Sequence, residues 1–215
     1  MAQAVRNARA EILERIAAVG EWAAPPAERT YRVGGSLAPD ELVALFCARV
    51  ADYRAEVRRV VADAVAAEVL SVCAARSAGR LVVPAELRAD WLLAGVGVEA
   101  IPDDGFSARE LDAFDGVLTG CTVAVASTGT IVLTAGPEEG RRAITLVPDL
   151  HICVVEEWRI VELVPEAIRA LTPLVRDERR PVTLVSGPSA TSDIELSRVE
   201  GVHGPRSLVV LVVAA

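Results

Sequence analysis

Apolar side chains recur every three or four positions in the first part of the chain. They stand at Val5, Ala8, Ile12, Ile16 and Val19. This spacing predicts an amphipathic helix, and Gly20 is suited to end it. Prolines and glycines follow within 21–36, a composition typical of an extended linker. We therefore predict an N-terminal helix and linker over 1–35, followed by a larger domain over 36–215.

Beyond the linker, helical and strand-like patterns alternate. A second helix is expected to open at Pro39, where Asp40 and Glu41 place negative charge in its first turn. Short β-rich runs at 57–61, 81–83 and 98–101 are then separated by helical patterns at 63–76 and 86–93. This alternation predicts an α/β fold, a parallel doubly wound sheet with helices on both faces.

The middle of the chain departs from this alternation. Two apolar runs, 123–126 and 131–134, flank Ser127, Thr128 and Gly129 like strands joined at a turn. We predict a β-hairpin inserted at the edge of the sheet. The remaining patterns indicate helices at 141–146 and 165–171, and strands at 150–155, 182–185 and 208–213.

Composition excludes several functions. All 22 basic residues are arginine, which rules out a lysine Schiff base and a phosphate-binding loop with the G-x-x-x-x-G-K-[ST] pattern. A net charge of −8 and 4% aromatic residues argue against nucleic-acid binding. The longest apolar run, 208–215, is far below the roughly 20 residues that span a bilayer, and no signal peptide is recognised. We expect a cytoplasmic protein without a membrane span.

The cysteines predict no cofactor site. Cys47, Cys73, Cys121 and Cys153 lie far apart, so no C-x-x-C pair is present to hold zinc or an iron–sulfur cluster. His151 and Cys153 share one face of a predicted strand and could ligate a metal, but two ligands without a third favour buried core residues. We therefore predict no metal, and no G-x-G-x-x-G motif indicates a nucleotide cofactor.

A hydroxyl-rich segment follows the strand predicted at 182–185. Because open α/β sheets bind ligands beyond the carboxyl ends of their strands, we interpret it as a candidate site for a small anionic or polyhydroxylated ligand. The candidate ligand-binding residues are Gly187, Ser189, Thr191, Ser192 and Glu195. Asp193 and Glu195 would repel a phosphate, so they are more suited to orient a hydroxyl group, an arginine or a metal ion. The alternative is a helix N-cap made by Thr191 or Ser192.

One histidine closely follows this segment. His203 lies between two glycines, and Gly204 precedes the final strand. An imidazole titrates near neutrality, so His203 is the candidate general acid or base, with Asp193 as its catalytic neighbour. The alternative is a turn in which the histidine only braces the loop. A catalytic serine is not favoured, because position 191 is Thr and breaks the G-x-S-x-G pattern.

Four stretches together resemble the LUD domain family found in lactate-utilisation proteins. They are TVAVASTGTIVL, LVPDLHICVV, SGPSATSDIE and GVHGP, in this order. The resemblance implies a fold similar to that of sugar-phosphate isomerases and coenzyme A transferases, the NagB/RpiA/CoA transferase-like fold. It also implies that Thr128, Gly129 and Thr130 form a loop that shapes the ligand pocket.

The family implies a role beside other proteins. Its members are implicated in oxidising L-lactate to pyruvate with iron–sulfur partner subunits, and this chain would be the subunit without clusters. Many relatives carry Glu immediately before Thr-Gly-Thr, where this chain has Ser127. A glutamate there would be the natural carboxylate nucleophile of a transferase, so Ser127 argues against acyl transfer at this position.

Two further hypotheses remain open. The chain could be a free-standing enzyme that acts on a sugar phosphate or an acyl thioester, with His203 as acid or base. It could also be an interaction module whose N-terminal helix packs on a partner or on a second copy in a homo-oligomer.

Overall fold

The computed structural model describes residues 8–19, 30–92, 97–192, 198–200 and 204–214. The chain divides into two compact units, 1–31 and 32–215. In the first unit, helix α1 (Ala8–Ala18) confirms the predicted helix, and none of its residues is buried. The proposed division at residue 35 stays a prediction.

The second unit is built on a six-stranded sheet in which all neighbouring strands are parallel. Its spatial order is β1-β12-β7-β4-β2-β3. The strands are β1 (Glu56–Val60), β2 (Arg80–Val83), β3 (Glu99–Pro102), β4 (Gly116–Thr119), β7 (Leu150–Glu156) and β12 (Ser207–Val213).

Strands β7 and β12, which lie side by side within this sheet, are apolar on both faces. Val209 and Leu211 of β12 pack with helix α3 (Val65–Ala75) on one side. Val210 and Val212 pack with helix α2 (Pro39–Asp52) on the other. A sheet buried on both faces requires such continuous apolar strands, because neither side meets water. The predicted parallel sheet with helices on both faces is confirmed, and its kinship with transferases stays a prediction.

The hairpin predicted at the edge of this sheet belongs instead to a second sheet. Its strands, in spatial order, are β8 (Ile160–Val161), β5 (Val123–Val125), β6 (Thr130–Leu133) and β9 (Thr183–Val185). Ala124 and Ile131 pack towards the main sheet, and Val123 and Val132 pack towards helix α5 (Val164–Arg176). The hairpin is therefore a covering layer, because the apolar face of the main sheet must be buried.

Other predicted elements are shorter or of another type. The helix expected at 86–93 is a 3-10 turn, Ala89–Trp91, in which the Trp91 side chain is drawn into the main core. The helix expected at 141–146 is likewise a 3-10 turn, Arg142–Thr145. A short helix α4 (Ala108–Leu111), capped by Ser107, was not predicted. The strand β9 pairs antiparallel with β6 and lies outside the main sheet.

A buried carboxylate holds the segment 32–37 against the second sheet. Glu162 Oε2 accepts hydrogen bonds from the backbone N–H groups of Ser36 at 2.5 Å and Leu37 at 2.9 Å. Glu162 Oε1 is paired with Arg32. The two N–H donors and then Arg32 lower the pKa of the Glu162 carboxyl, since hydrogen bonds and a positive charge favour its ionised form.

Helix α2 is held close to the turn between β5 and β6. Gly129 has a φ of +59° there, and a Cβ atom at this position would lie 2.6 Å from the carbonyl carbon of Arg49. A side chain at Gly129 would therefore meet helix backbone, which cannot move aside without displacing α2.

We predict that Gly129→Ala destabilises the protein by about 2–4 kcal/mol, because a left-handed conformation and an overpacked contact both oppose the new methyl group. Gly34→Ala is the matched control, since nothing lies within 4 Å of its Cβ position. The control should stay within about 0.5 kcal/mol of the parent. Urea unfolding measures both, and equal stability of the two variants would contradict the packing described.

We predict that Glu162→Gln speeds hydrogen exchange of the Ser36 and Leu37 amides at neutral pH by about tenfold or more. Because the folded-state pKa is lowered, the wild-type carboxylate holds these amides above the ordinary glutamate pKa of 4.5 and releases them only as pH falls through the lower folded value. Glu157→Gln, which removes a surface ion pair with Arg59, is the control. Unchanged exchange in Glu162→Gln would contradict this role.

Candidate functional site

The hydroxyl-rich segment borders a cleft of about 260 Å³. Strand β9 and the loop 186–189 form one wall, and the residues 204–205 before β12 form another. The lining also includes Arg142, Thr145, Leu146, His151 and Leu208. Residues from two separate parts of the chain, 142–151 and 183–208, therefore meet at one cavity.

The cleft lies at the amino ends of β7 and β12, and not at the carboxyl ends of the parallel strands, where it was predicted. His151 and Leu208 line it, and each is the second residue of its strand, β7 and β12 respectively. The prediction was wrong because it assigned the strand at 182–185 to the parallel sheet. Strand β9 belongs to the second sheet, so its carboxyl end delivers the loop to the other end of β7 and β12.

A row of hydroxyl groups joins the Thr-Gly-Thr turn to this loop. Thr128 Oγ1 lies 2.8 Å from Thr130 Oγ1, which lies 2.8 Å from Ser186 Oγ. The structure thus brings the predicted residues Thr128 and Thr130 next to the cleft wall. Gly129 instead packs against α2 and takes no part in the lining.

The loop 186–189 is held by close contacts with two other parts of the chain. Gly187 has a φ of +86°, and a Cβ atom there would lie 2.5 Å from Tyr53 Cβ. The Ser189 N–H donates to the Pro205 carbonyl oxygen at 2.8 Å. Gly204 lies beside Ser189, with its Cβ position 3.4 Å from Ser189 Cβ. Gly187, Ser189 and Gly204 therefore lie together at the wall of the cleft, and their role in binding stays a prediction.

The pair His151 and Cys153 is buried, as predicted for core residues. His151 Nε2 lies 2.8 Å from Thr119 Oγ1, which fixes the ring orientation. Cys121 and then His151 lower the pKa of the Cys153 thiol, and the interaction with Cys153 together with burial raises the pKa of Cys121. His151 also lines the cleft, which its pattern in the sequence did not indicate.

Arg142 and Thr145 line the cleft but were not predicted from the sequence. Both lie in the 3-10 turn beside the cleft, and the Thr145 hydroxyl donates to the Arg142 carbonyl oxygen at 3.0 Å. No motif marks them, because Arg142 follows another arginine in an unremarkable polar stretch. A signal could have come only from knowing which loops meet in space.

Several predicted site residues lie outside the described part of the chain: Asp193, Glu195 and His203. Thr191 and Ser192 lie in strand β10 (Ala190–Ser192), which pairs antiparallel with β11 (Arg198–Glu200). The alternative of a helix N-cap made by Thr191 or Ser192 concerns 193–197, which lie outside the described residues, so it stays a prediction.

Within the described residues, no group of three or more His, Cys, Asp or Glu side chains is placed to hold a metal ion. None of the described helices is long and apolar enough to cross a membrane.

The sequence and the fold match proteins of one family. Residues 43–213 match the LUD domain. Lactate utilization protein C from Deinococcus radiodurans is 45% identical over 208 residues, 96% of this chain and 96% of that protein. Lactate utilization protein C from Macrococcus caseolyticus is 32% identical over 129 residues, 55% of each chain.

A solved structure agrees with the observed fold. The crystal structure of a DUF162 family protein from Deinococcus radiodurans aligns with a TM-score of 0.72 and 41% identity, covering 83% of this chain and 99% of that one. The resemblance inferred from the four sequence stretches is thereby confirmed. This chain belongs to the LUD domain family.

Proposed function

We propose that this chain is the cluster-free subunit of a cytoplasmic L-lactate oxidation system. In this system L-lactate loses two electrons and two protons to become pyruvate, and the electrons pass to clusters in iron–sulfur partner proteins. The proposal is supported by the near full-length similarity to a protein named for lactate utilisation.

The observation that carries the proposal is the chemistry of the cleft. Among its described lining residues, Arg142 is the one charged side chain and no carboxylate is present. A small, partly apolar cavity with a single cation favours a small anionic ligand, because the charge is neutralised without a second counter-ion. Lactate and pyruvate are anions of this kind.

The cysteines support a role beside cluster-bearing partners. Cys73, Cys121 and Cys153 are buried, and Cys47 is half-buried on α2. Among the described residues no three histidine, cysteine or carboxylate side chains lie together, whereas an iron–sulfur cluster takes four ligands. We therefore expect the electron acceptors in partner subunits.

The rival function, a free-standing enzyme for sugar phosphates or acyl thioesters, is less well supported. A cleft of about 260 Å³ is too small to enclose a coenzyme A thioester, since drug-sized ligands already occupy pockets of roughly 300–1,000 Å³. A phosphate dianion would also be served poorly by one arginine.

We predict that the tagged full chain, recovered from lactate-grown source cells, brings with it proteins whose absorption is typical of iron–sulfur clusters. The same sample should reduce an artificial dye only when L-lactate is added, and D-lactate is the control substrate. Turnover of lactate by the isolated chain, with no other protein or cofactor, would contradict the subunit proposal. So would recovery of the chain alone and without activity.

A further inference from the structure

Arg142 is available to a ligand in a way that its neighbour is not. Arg141 Nε is paired with Asp103 Oδ2 at 2.6 Å, so the positive charge of Arg141 is already neutralised within the protein. Arg142 is exposed, lines the cleft, and has no carboxylate partner within the described part of the chain. The arginines that line other described cavities, Arg76, Arg159, Arg180 and Arg206, all form ion pairs, which distinguishes Arg142 from them.

The walls around Arg142 are partly polar and partly apolar. Ser186 contributes a hydroxyl group that is held in place by Thr130. Leu146 and Leu208 contribute apolar surface. Such a lining suits a ligand with one anionic end, a short carbon body and few further polar atoms.

The single positive charge of Arg142 further restricts the class of ligand. A guanidinium group pairs with one carboxylate through two parallel hydrogen bonds. A second negative charge on the ligand would be desolvated against apolar walls without a partner, which is costly. Dicarboxylates and phosphates are therefore disfavoured relative to a monocarboxylate.

His151 provides a hydrogen-bonding group of fixed orientation. Its side chain is buried at the cavity lining, and Thr119 holds Nε2 at 2.8 Å. Because Thr119 occupies Nε2, Nδ1 is the ring nitrogen left to form a hydrogen bond with an oxygen atom near the carboxylate of a short ligand. It therefore favours an acid that carries such an oxygen over one that does not.

We propose that the cleft binds a short-chain 2-hydroxy or 2-oxo monocarboxylate, with Arg142 pairing to the carboxylate and with Ser186 and His151 receiving the oxygen on the adjacent carbon. This assignment rests on the proposed role in lactate oxidation and adds the location and the chemistry of the substrate site. It makes Arg142 the anchor of affinity and His151 the residue that positions the reacting end.

Titration calorimetry with the full chain tests the proposal, using L-lactate, pyruvate, propionate, malonate and inorganic phosphate as probes. Lactate or pyruvate should bind, and propionate, which lacks the second oxygen, should bind about tenfold more weakly. Arg142→Gln should weaken binding by about 10- to 100-fold, and Arg142→Lys should recover part of the loss. Arg109→Gln, an equal charge change on α4 away from the cleft, should bind like the parent.

Three results would overturn the assignment: no binding of either acid, tighter binding of phosphate or malonate, or unchanged affinity in Arg142→Gln. Melting curves of the variants should show that they are folded, because Arg142 is exposed and its replacement removes no core contact. The subunit role is judged separately by recovery of iron–sulfur partners with lactate-dependent dye reduction. If those persist while the chain binds neither acid, the substrate site lies elsewhere and the subunit proposal stands.

Discussion

Burial of both faces of the β7–β12 pair is the constraint on which the rest of the second unit depends. Alternate residues of β12 enter opposite apolar clusters, so each face requires a cover. Helix α3 covers one face. Helix α2 and the second sheet cover the other, and helix α5 covers the outer side of that sheet. The second sheet packs on the main one, and β9 ends near the amino ends of β7 and β12, where the cleft forms.

The parts of the fold that could be predicted are those in which local pattern and burial agree. The apolar runs of β7 and β12 and the hairpin at Ser127–Gly129 are of this kind. The segment 86–93 has a helical pattern, but burial of Trp91 is satisfied by a 3-10 turn instead. Which sheet β9 joins depends on its pairing with β6, a contact between distant residues that no local pattern encodes.

The candidate site could likewise be predicted only in part. A glycine at a tight turn and a run of hydroxyl residues can be recognised in the sequence, so Gly187, Ser189 and Gly204 could be named as candidates. The structure places these three residues together. Arg142 and the cleft-lining role of His151 could not be predicted, because each depends on a turn or a strand being placed beside a loop far away in the chain. Tertiary contacts bring these residues together, whereas their residue types determine only which hydrogen bonds and charges they can offer to a ligand.

A crystal structure of the full chain soaked with pyruvate would test the central claim most directly. The proposed cleft predicts a molecule bound between the loop 186–189 and the 3-10 turn Arg142–Thr145, with its carboxylate within hydrogen-bond distance of the Arg142 guanidinium. Pyruvate bound instead at the carboxyl ends of β7 and β12, with the cleft empty, would contradict the claim.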